Sequence, residues 1–385
     1  MRRKAIAILA IAVLAISGHS VSAQNDQVAV TSVPLPADSD TRVSVPVENE
    51  VVGAFELTAG PAGNTVDLDN ATNFTTDQFK GTHYARFTSG NLEGQWFTII
   101  ANGTDSLELG TRAGGLDPVS VSTPANLAGA VDGDTLVIVK FWTMGTLFPP
   151  TLKGITFDAT TGGSLADRTT QVLIPNVTDP QFANSFTGQG KSALTTLIFV
   201  DVAQTTGWFD TSFKPQDDFV LPPNFSFIIR NTGRDAPTTD DAATVADEGS
   251  NDLVYAPAGD FPNLVTVTPL KTASGGNDVA VGVSSLFPVK LSDLELGGTS
   301  AFVDTTGAQL ADRGDQILFF DPAVAQVGKS ASETFVFVNL GQTTGWFDTG
   351  FQTPRDDFEI PAGVGIIVRK VGAPAGVDEW EQTPE

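Results

Sequence analysis

The sequence contains no cysteine, only two histidines, and fewer than half as many basic residues (21 Lys and Arg) as acidic ones (45 Asp and Glu). Without cysteine the chain can form no disulfide and carry no lipid on a thiol, so its stability must come from packing and sheet hydrogen bonds. Zinc sites built on His or Cys are excluded by count. The net charge of −24 repels nucleic acid and anionic lipid, so we expect neither as a partner.

The shortage of histidine also limits enzyme chemistry. His19 lies in the amino-terminal segment described next, which leaves His83 as the one candidate for a Ser-His-Asp triad. No Gly-x-Ser-x-Gly elbow lies near it, and no dinucleotide-binding or Walker loop is present. The sequence therefore predicts no enzyme and no organic cofactor.

Long apolar runs are absent beyond the first residues. Three basic residues (Arg2, Arg3 and Lys4) precede an apolar run over 5–16, and small residues end at Ala23. This pattern predicts a secretory signal peptide over 1–23, because the run is shorter than the roughly 20 residues that span a bilayer. We expect export to the periplasm, cell surface or medium, with no transmembrane segment after cleavage. Cleavage removes three positive charges and takes the net charge from −24 to −27.

Long helical periodicity is absent as well, and short strand patterns take its place. Alternating apolar residues at 42–47 and 264–268, and a continuous apolar run at 136–139, are bounded by Gly, Asn, Asp and Pro. This patterning predicts an all-β fold.

The clearest positive signal is self-similarity. QTTGWFDTSF at 204–213 matches QTTGWFDTGF at 342–351, and both continue to an Asp-Asp-Phe and then to an apolar strand that ends in Arg230 or Arg369. LADR at 165–168 matches 310–313, LFP at 147–149 matches 286–288, and 28–47 resembles 265–284 more faintly. So many matches in one order predict two tandem, related antiparallel β-sandwich-like modules.

The first module is split in this interpretation. Its first strands occupy 24–47 and the remainder 147–233, whereas the second module runs continuously over 264–372. Residues 48–146 are then an inserted small β-barrel-like domain, with candidate strands at 51–57, 65–68, 84–88, 96–100, 106–109 and 135–141. We expect 234–263 to be an acidic linker or loop and 373–385 to be an acidic, mobile tail.

Several segments resemble a known family. YARFTSGNLEGQW at 84–96, FWTMGTLFP at 141–149, GKSAS at 328–332 and the stretch from IPAG at 360–363 to Arg369 and Lys370 are similar to an uncharacterised family of secreted proteins from Verrucomicrobia-like bacteria. The resemblance covers nearly the whole chain after residue 23. It implies export and supplies no activity and no site residues.

The repeated aromatic pairs are the candidate binding residues. Trp208 and Phe209 in the first module correspond to Trp346 and Phe347 in the second. On a strand, one member of each pair faces the core and the other faces outward. An outward Trp could stack on a sugar ring, whereas an inward Trp would fill the same core position in each module.

The carboxylates support fewer hypotheses. Adjacent Asp residues such as Asp217 and Asp218 point to opposite faces of a strand and make poor acid–base pairs, so a glycan-active enzyme is the weakest alternative. Calcium binding remains open, because Asp38 with Asp40, Asp67 with Asp69, and Asp132 with Asp134 are spaced as loop ligands. Ordinary Asp-rich turns explain the same spacing.

Taken together, these patterns favour a secreted, non-catalytic β-module protein with a structural or surface-adhesion role. Its partners would be a glycan or other cell-surface proteins. The alternative is a carbohydrate-binding protein that uses the two Trp-Phe pairs. Burial of Trp208 and Trp346 separates the two, because buried rings cannot stack on a sugar.

Overall fold

The computed structural model describes residues 28–69, 74–111, 121, 124–149, 159–160, 168–175, 185–186, 193, 195–202, 205–232, 253–260, 265–272, 276–307, 312–371 and 376–383. The predicted signal peptide at 1–23 and parts of the two matched LADR segments, 165–167 and 310–311, lie outside these residues. Within them, no helix has both the length and the apolar character of a membrane span.

Nearly all regular structure is β, as the sequence predicts. The first three strands are β1 (Val28–Val30), β2 (Val33–Leu35) and β3 (Ser39–Ser44). The next six are β4 (Val51–Glu56), β5 (Thr65–Asp67), β6 (His83–Phe87), β7 (Trp96–Asn102), β8 (Ser106–Gly110) and β9 (Thr135–Lys140). A short strand β10 (Trp142–Thr143) leads into one turn of helix, α1 (Met144–Leu147), and a 3-10 turn spans Gly90–Leu92.

The rest of the chain also consists mainly of short strands. Its strands before residue 261 are β11 (Gln171–Ile174), β12 (Ser185–Phe186), β13 (Thr195–Val202), β14 (Thr205–Asp210), β15 (Val220–Leu221), β16 (Ser226–Asn231), β17 (Leu253–Tyr255) and β18 (Ala258–Asp260). After it come β19 (Thr266–Thr272), β20 (Asn277–Gly282), β21 (Val289–Lys290), β22 (Gln316–Phe319), β23 (Glu333–Asn339), β24 (Thr344–Asp348), β25 (Glu359–Ile360), β26 (Gly365–Lys370) and β27 (Gly376–Gln382), with a 3-10 turn at Leu291–Leu294.

The segment predicted as an insertion forms its own antiparallel sheet in the order β4-β9-β6-β7-β8-β5. Its six strands coincide with the six predicted between 51 and 141. The sheet is not a closed barrel, but its two edge strands approach each other through an isolated bridge between Leu57 and Leu68. Sixteen buried residues, among them Phe79, Phe87 and Leu136, form a core that belongs to this sheet alone.

Two further sheets share one strand order. The first sheet runs β14-β13-β11-β16-β3, and the second runs β24-β23-β22-β26-β20 with β12 added at the end. Matched residues occupy matched register: Arg230 lies opposite Asp40 in the first sheet, and Arg369 lies opposite Asp278 in the second. Trp208 lies opposite Phe199, and Trp346 lies opposite Phe337.

The predicted linker and the predicted tail both contain strands, which corrects the sequence interpretation. Within 234–263, β17 pairs with β2 and β18 pairs with β1. Within 373–385, β27 pairs with β19 over seven residues. The two additions are equivalent, because Tyr255 lies opposite Val33 of a Val-Pro-Leu segment and Trp380 lies opposite Thr268 of a Thr-Pro-Leu segment. Both aromatic rings are buried.

The first and second sheets meet through reciprocal contacts. The amide of Ser44 donates to the carbonyl of Gly363 at 2.8 Å, and the amide of Gly282 donates to that of Asn224 at 3.0 Å. Isolated bridges join Val43 to Val364 and Phe225 to Val281. Ser44 matches Gly282 in the repeat, and Asn224 matches Gly363. Each contact is therefore repeated with the partners exchanged, as at the interface of a two-fold dimer.

One continuous hydrophobic core lies beneath both sheets. It includes Phe227 and Trp208 from the first sheet, and Ile366 and Trp346 from the second. Inward residues alternate with outward ones along the strands, as expected for packed antiparallel sheets. The two sheets therefore share one core and form one domain rather than two.

Candidate functional site

Both repeated tryptophans are core residues. Trp208 has 0% and Trp346 has 2% of its surface exposed. The indole of Trp208 packs against Phe199 and Phe148 and donates to the Phe148 carbonyl at 3.1 Å, and that of Trp346 packs against Phe302 and Phe337. Neither ring can stack on a sugar, so the proposed sugar sites at Trp208 and Trp346 are wrong.

One aspartate of each Asp-Asp pair accepts a hydrogen bond from the edge strand of a sheet. The strands β14 and β24 are edge strands, whose free amides would otherwise invite pairing with another chain. Asp217 accepts the Trp208 amide at 2.9 Å, and Asp356 accepts the Trp346 amide at 2.8 Å. The following Asp218 and Asp357 are exposed.

The glycine before each tryptophan makes room for this contact. Gly207 has φ +151° and Gly345 has φ +146°. A Cβ on Gly207 would lie 2.7 Å from an oxygen of Asp217, and one on Gly345 would lie 2.9 Å from Asp356. The repeated Thr-Thr-Gly-Trp therefore closes a sheet edge.

A third repeated carboxylate holds the turn after each edge strand. Asp210 accepts the amides of Ser212 at 2.8 Å and Lys214 at 3.0 Å. Asp348 accepts those of Gly350 at 3.1 Å and Gln352 at 3.2 Å. The Lys214 amide is the main reason that the pKa of Asp210 lies below its ordinary value. These acids shape turns, as short Asp side chains commonly do.

The two candidate phenylalanines lie on the other face of their strands. Phe209 and Phe347 are half-buried, and each forms a bridge to the proline of its turn, Pro215 or Pro354. This placement follows from the alternation of side chains along a strand. Neither side chain is fully exposed.

The first candidate calcium pair is occupied by protein groups. Asp40 forms a two-pronged ion pair with Arg230, at 2.7 and 2.8 Å, and accepts the amide of Gly328 at 2.8 Å. Asp38 is exposed and lies in the left-handed region, with φ +52°. Asp278 and Arg369 form the equivalent ion pair at 2.7 Å in the second sheet. Asp40 is thus a partner of Arg230 rather than half of a metal site.

The other candidate pairs lie in turns or, for Asp67, at the end of a strand beside a turn. Asp134 is buried and accepts the amide of Val131 at 2.8 Å, whereas Asp132 is exposed. Asp67 and Asp69 are both exposed. Across the described residues, no three His, Cys, Asp or Glu side chains are grouped as metal ligands would be.

The remaining histidine packs within the insertion. The ring of His83 lies 5.0 Å from that of Phe79, and its Nδ1 is 2.7 Å from the Thr82 hydroxyl. Burial, helped by nearby Lys140, lowers the pKa of His83 to about 4. The imidazole is therefore neutral at physiological pH and would be a weak general base.

A buried polar cluster, missed by sequence reasoning, joins the insertion to the first module. Tyr84 and Arg86 both donate to the Glu48 carboxylate at 3.1 Å. The Glu48 amide donates to the carbonyl of Asp260 at 2.7 Å. Burial raises the pKa of Glu48, against the opposing effect of Arg86, and raises that of Tyr84 well above its usual value. Tyr84 and Arg86 follow Glu48 by 36 and 38 residues in the sequence, so no local motif predicts this cluster.

A cavity of about 20 Å³ adjoins this cluster and is bounded by Trp96 and Trp142. Two guanidinium nitrogens of Arg86 have no hydrogen-bond partner among the described residues. The volume suffices for about one water molecule, and a water there would satisfy a free N–H group. A small-molecule ligand would need several hundred Å³, so this cluster is a polar joint between two sheets.

A second buried charge cluster lies at the end of β26. The ammonium of Lys370 contacts Asp315 at 2.6 Å and Asp378 at 3.3 Å, and it donates to the Ala301 carbonyl at 2.6 Å. The side chains of Lys370 and Asp315 have no exposed surface. Burying a lysine is costly unless its charge is paired, and here Asp315 and Asp378 supply the pairing charges.

Fold and sites together define an antiparallel β protein with two equivalent main sheets and an inserted β sheet, in which the repeated motif residues support the structure. Comparison with protein-family models, with curated proteins and with solved structures found no match.

Proposed function

We propose that this chain is an exported, non-catalytic protein that acts as a structural or surface-adhesion component, built from a duplicated β module. The observation that carries the proposal is that the repeated motif has the same structural role in both copies. In both copies the Trp fills the core, the Asp holds the edge-strand amide and the Gly admits that Asp. Within the described part of the repeat, these positions serve packing and edge contacts in both copies.

Duplication itself is supported by the shared strand order, by the matched ion pairs of Arg230 and Arg369, and by the reciprocal contacts between the sheets. A fused pair of modules covers part of each module's apolar surface with the other, as a dimer would. The exposed sheet edges are closed by Asp217 and Asp356, which suits a protein that must stay separate from its copies at high local concentration.

Export is tested by expressing the full chain, with its own N-terminus, in a bacterium with two membranes. We expect the protein recovered outside the inner membrane to begin at residue 24. If its destination is the cell surface, a protease added to intact cells should cleave it. Full-length protein retained in the cytoplasm would contradict the proposal.

Function is tested on the mature protein with a panel of polysaccharides and peptidoglycan, with and without calcium. We expect no release of reducing ends. Binding to some member of the panel, unchanged by Phe209→Ala and Phe347→Ala, would identify an adhesion ligand that other residues recognise. Hydrolysis that disappears when a carboxylate is replaced would contradict a non-catalytic role.

A further inference from the structure

The cluster of Lys370, Asp315 and Asp378 combines a fully buried amine, a fully buried carboxyl group and a second carboxyl group that is 36% exposed. Sheet register brings the first two together: Gln316 pairs with Arg369, so Asp315, one residue earlier, lies opposite Lys370 at the end of β26. Asp378 arrives from β27, which belongs to a different sheet. A lysine and an aspartate on neighbouring strands, with an acid from outside their sheet, are placed for reaction with each other.

The donors around Asp315 resemble those that stabilise acyl transfer. One carboxyl oxygen, Oδ1, accepts the amide of Val371 at 2.8 Å. The other, Oδ2, accepts the amide of Val303 at 2.9 Å and lies 2.6 Å from the Lys370 Nζ. Fixed N–H groups aimed at a carboxyl oxygen stabilise the negative charge that develops when its carbon is attacked.

The first module provides an internal comparison. The positions that match Asp315, Lys370 and Asp378 are occupied by Thr170, Asn231 and Leu253. All three charged groups are absent together, yet the strand order and register are the same. The scaffold therefore does not require the trio, which is a separate property of the second module.

We propose that Lys370 and Asp315 condense to an amide cross-link inside the second module, with Asp378 as the proton carrier. In the first step the Lys370 ammonium transfers a proton to the Asp315 carboxylate 2.6 Å away, which yields a neutral amine and a neutral acid. The Nζ lone pair then attacks Cγ, and the charge that develops on Oδ1 is held by the Val371 amide.

Collapse of this intermediate completes the step. The bond from Cγ to the Oδ2 hydroxyl breaks, while Asp378 takes a proton from the nitrogen and passes it to the leaving oxygen. The products are an amide with one N–H and one water molecule, and Asp378 ends as it began. No oxidant or other reactant is needed.

Intact-mass spectrometry of the purified mature protein, after denaturation, tests this proposal. We expect a mass lower than the sequence mass by one water, and a branched peptide in the digest that joins Asp315 to Lys370. The branched peptide distinguishes the cross-link from loss of water at Asp132-Gly133, where an aspartate precedes a glycine. A folded protein with the full sequence mass would overturn the proposal and leave a buried ion pair.

Three variants serve as controls. Lys370→Arg keeps the positive charge but lacks the amine, so we expect the full mass. Asp378→Asn keeps the shape but cannot carry the proton, and we expect full mass soon after folding with slow or no loss of water. If either variant fails to fold, the triple replacement Asp315→Thr, Lys370→Asn, Asp378→Leu copies the first module and should fold with the full mass. Loss of water that persists in the folded triple variant would also overturn the proposal.

Discussion

At the scale of single residues, the repeated motif is held together by contacts that allow little substitution. The Asp217 and Asp356 carboxylates approach so closely that only a glycine fits before each tryptophan. Both glycines also have backbone angles that other residues rarely adopt. The same restriction occurs twice, so its cost can be measured in either copy.

Gly345→Ala should therefore destabilise the second sheet. The new Cβ would lie 2.9 Å from the Asp356 oxygens at φ +146°, and such strain costs of the order of 1–3 kcal/mol. Gly350→Ala is the matched control, since the nearest atom to its Cβ is 3.4 Å away. The free energy of unfolding in urea should fall for the first variant only; equal values for the two would contradict the proposed role of Gly345.

His83 provides a direct test of burial in the insertion. In a protein that begins at residue 24, His83 is the single histidine, so its ring proton gives one isolated NMR signal. Its pKa is lowered by burial and by Lys140 to about 4, from the ordinary 6.5. The unfolded chain thus binds a proton more readily than the folded one, and stability should fall as pH decreases from about 6.5 toward 4.

The measurement is the midpoint of the His83 signal against pH, with urea-unfolded protein as the control. We expect a midpoint near 4 in the folded protein and near 6.5 in urea. A folded midpoint near 6.5 would show that the ring is solvated and that the packing against Phe79 is wrong.

The sequence showed which residues matter more fully than it showed what each of them does. The repeat identified Trp208 and Trp346, and it predicted that one residue of each Trp-Phe pair faces the core. It could not say which face, because alternation fixes opposition but not direction. The Glu48–Arg86 pair left no signal, since its partners are distant in sequence and meet only through sheet pairing.

At the scale of elements, local pattern predicted strands well where apolar residues alternate. All six strands of the insertion were predicted this way. The strands β18 and β27 were missed because their residues are rich in Ala, Gly, Asp and Glu, and β17 was missed because Leu-Val-Tyr is only three residues long. Such segments become strands only when a partner supplies the hydrogen bonds, as β2, β1 and β19 do here.

The carboxy-terminal strand should matter for stability, contrary to its acidic, tail-like composition. Trp380 is buried, and its indole donates to the Leu294 carbonyl at 2.7 Å. Trp380→Ala should cost about 3–5 kcal/mol, the usual range for emptying a large core site. Glu381→Ala, at the next and exposed position, should stay within about 0.5 kcal/mol. Equal melting temperatures for wild type and Trp380→Ala would contradict the assignment of β27.

At the scale of the whole molecule, two sheets with one strand order meet as the halves of a dimer meet. The reciprocal contacts of Ser44 with Gly363 and of Gly282 with Asn224 place small residues at the junction. A Cβ at Gly365 would overlap the Ser226 hydroxyl, so the backbones approach as closely as glycine permits. The junction depends on this close approach.

Gly365→Ala should therefore loosen the two sheets from each other. Overpacking of this kind costs about 1–3 kcal/mol, and both sheets should become more susceptible to proteolysis together. Gly60→Ala is the control, since no atom lies within 4 Å of its Cβ. Proteolysis of Gly365→Ala at the wild-type rate would mean that the junction is not shared in this way.

The central claim is that the repeated tryptophans support the fold and do not contact a ligand. The most direct test is the free energy of unfolding of Trp208→Ala and Trp346→Ala, compared with Phe287→Ala, whose ring is 61% exposed. Each tryptophan variant should lose about 3–5 kcal/mol, whereas the Phe287 variant should change by less than about 0.5 kcal/mol. Wild-type stability in both tryptophan variants would contradict the account, because it would place those rings outside the core.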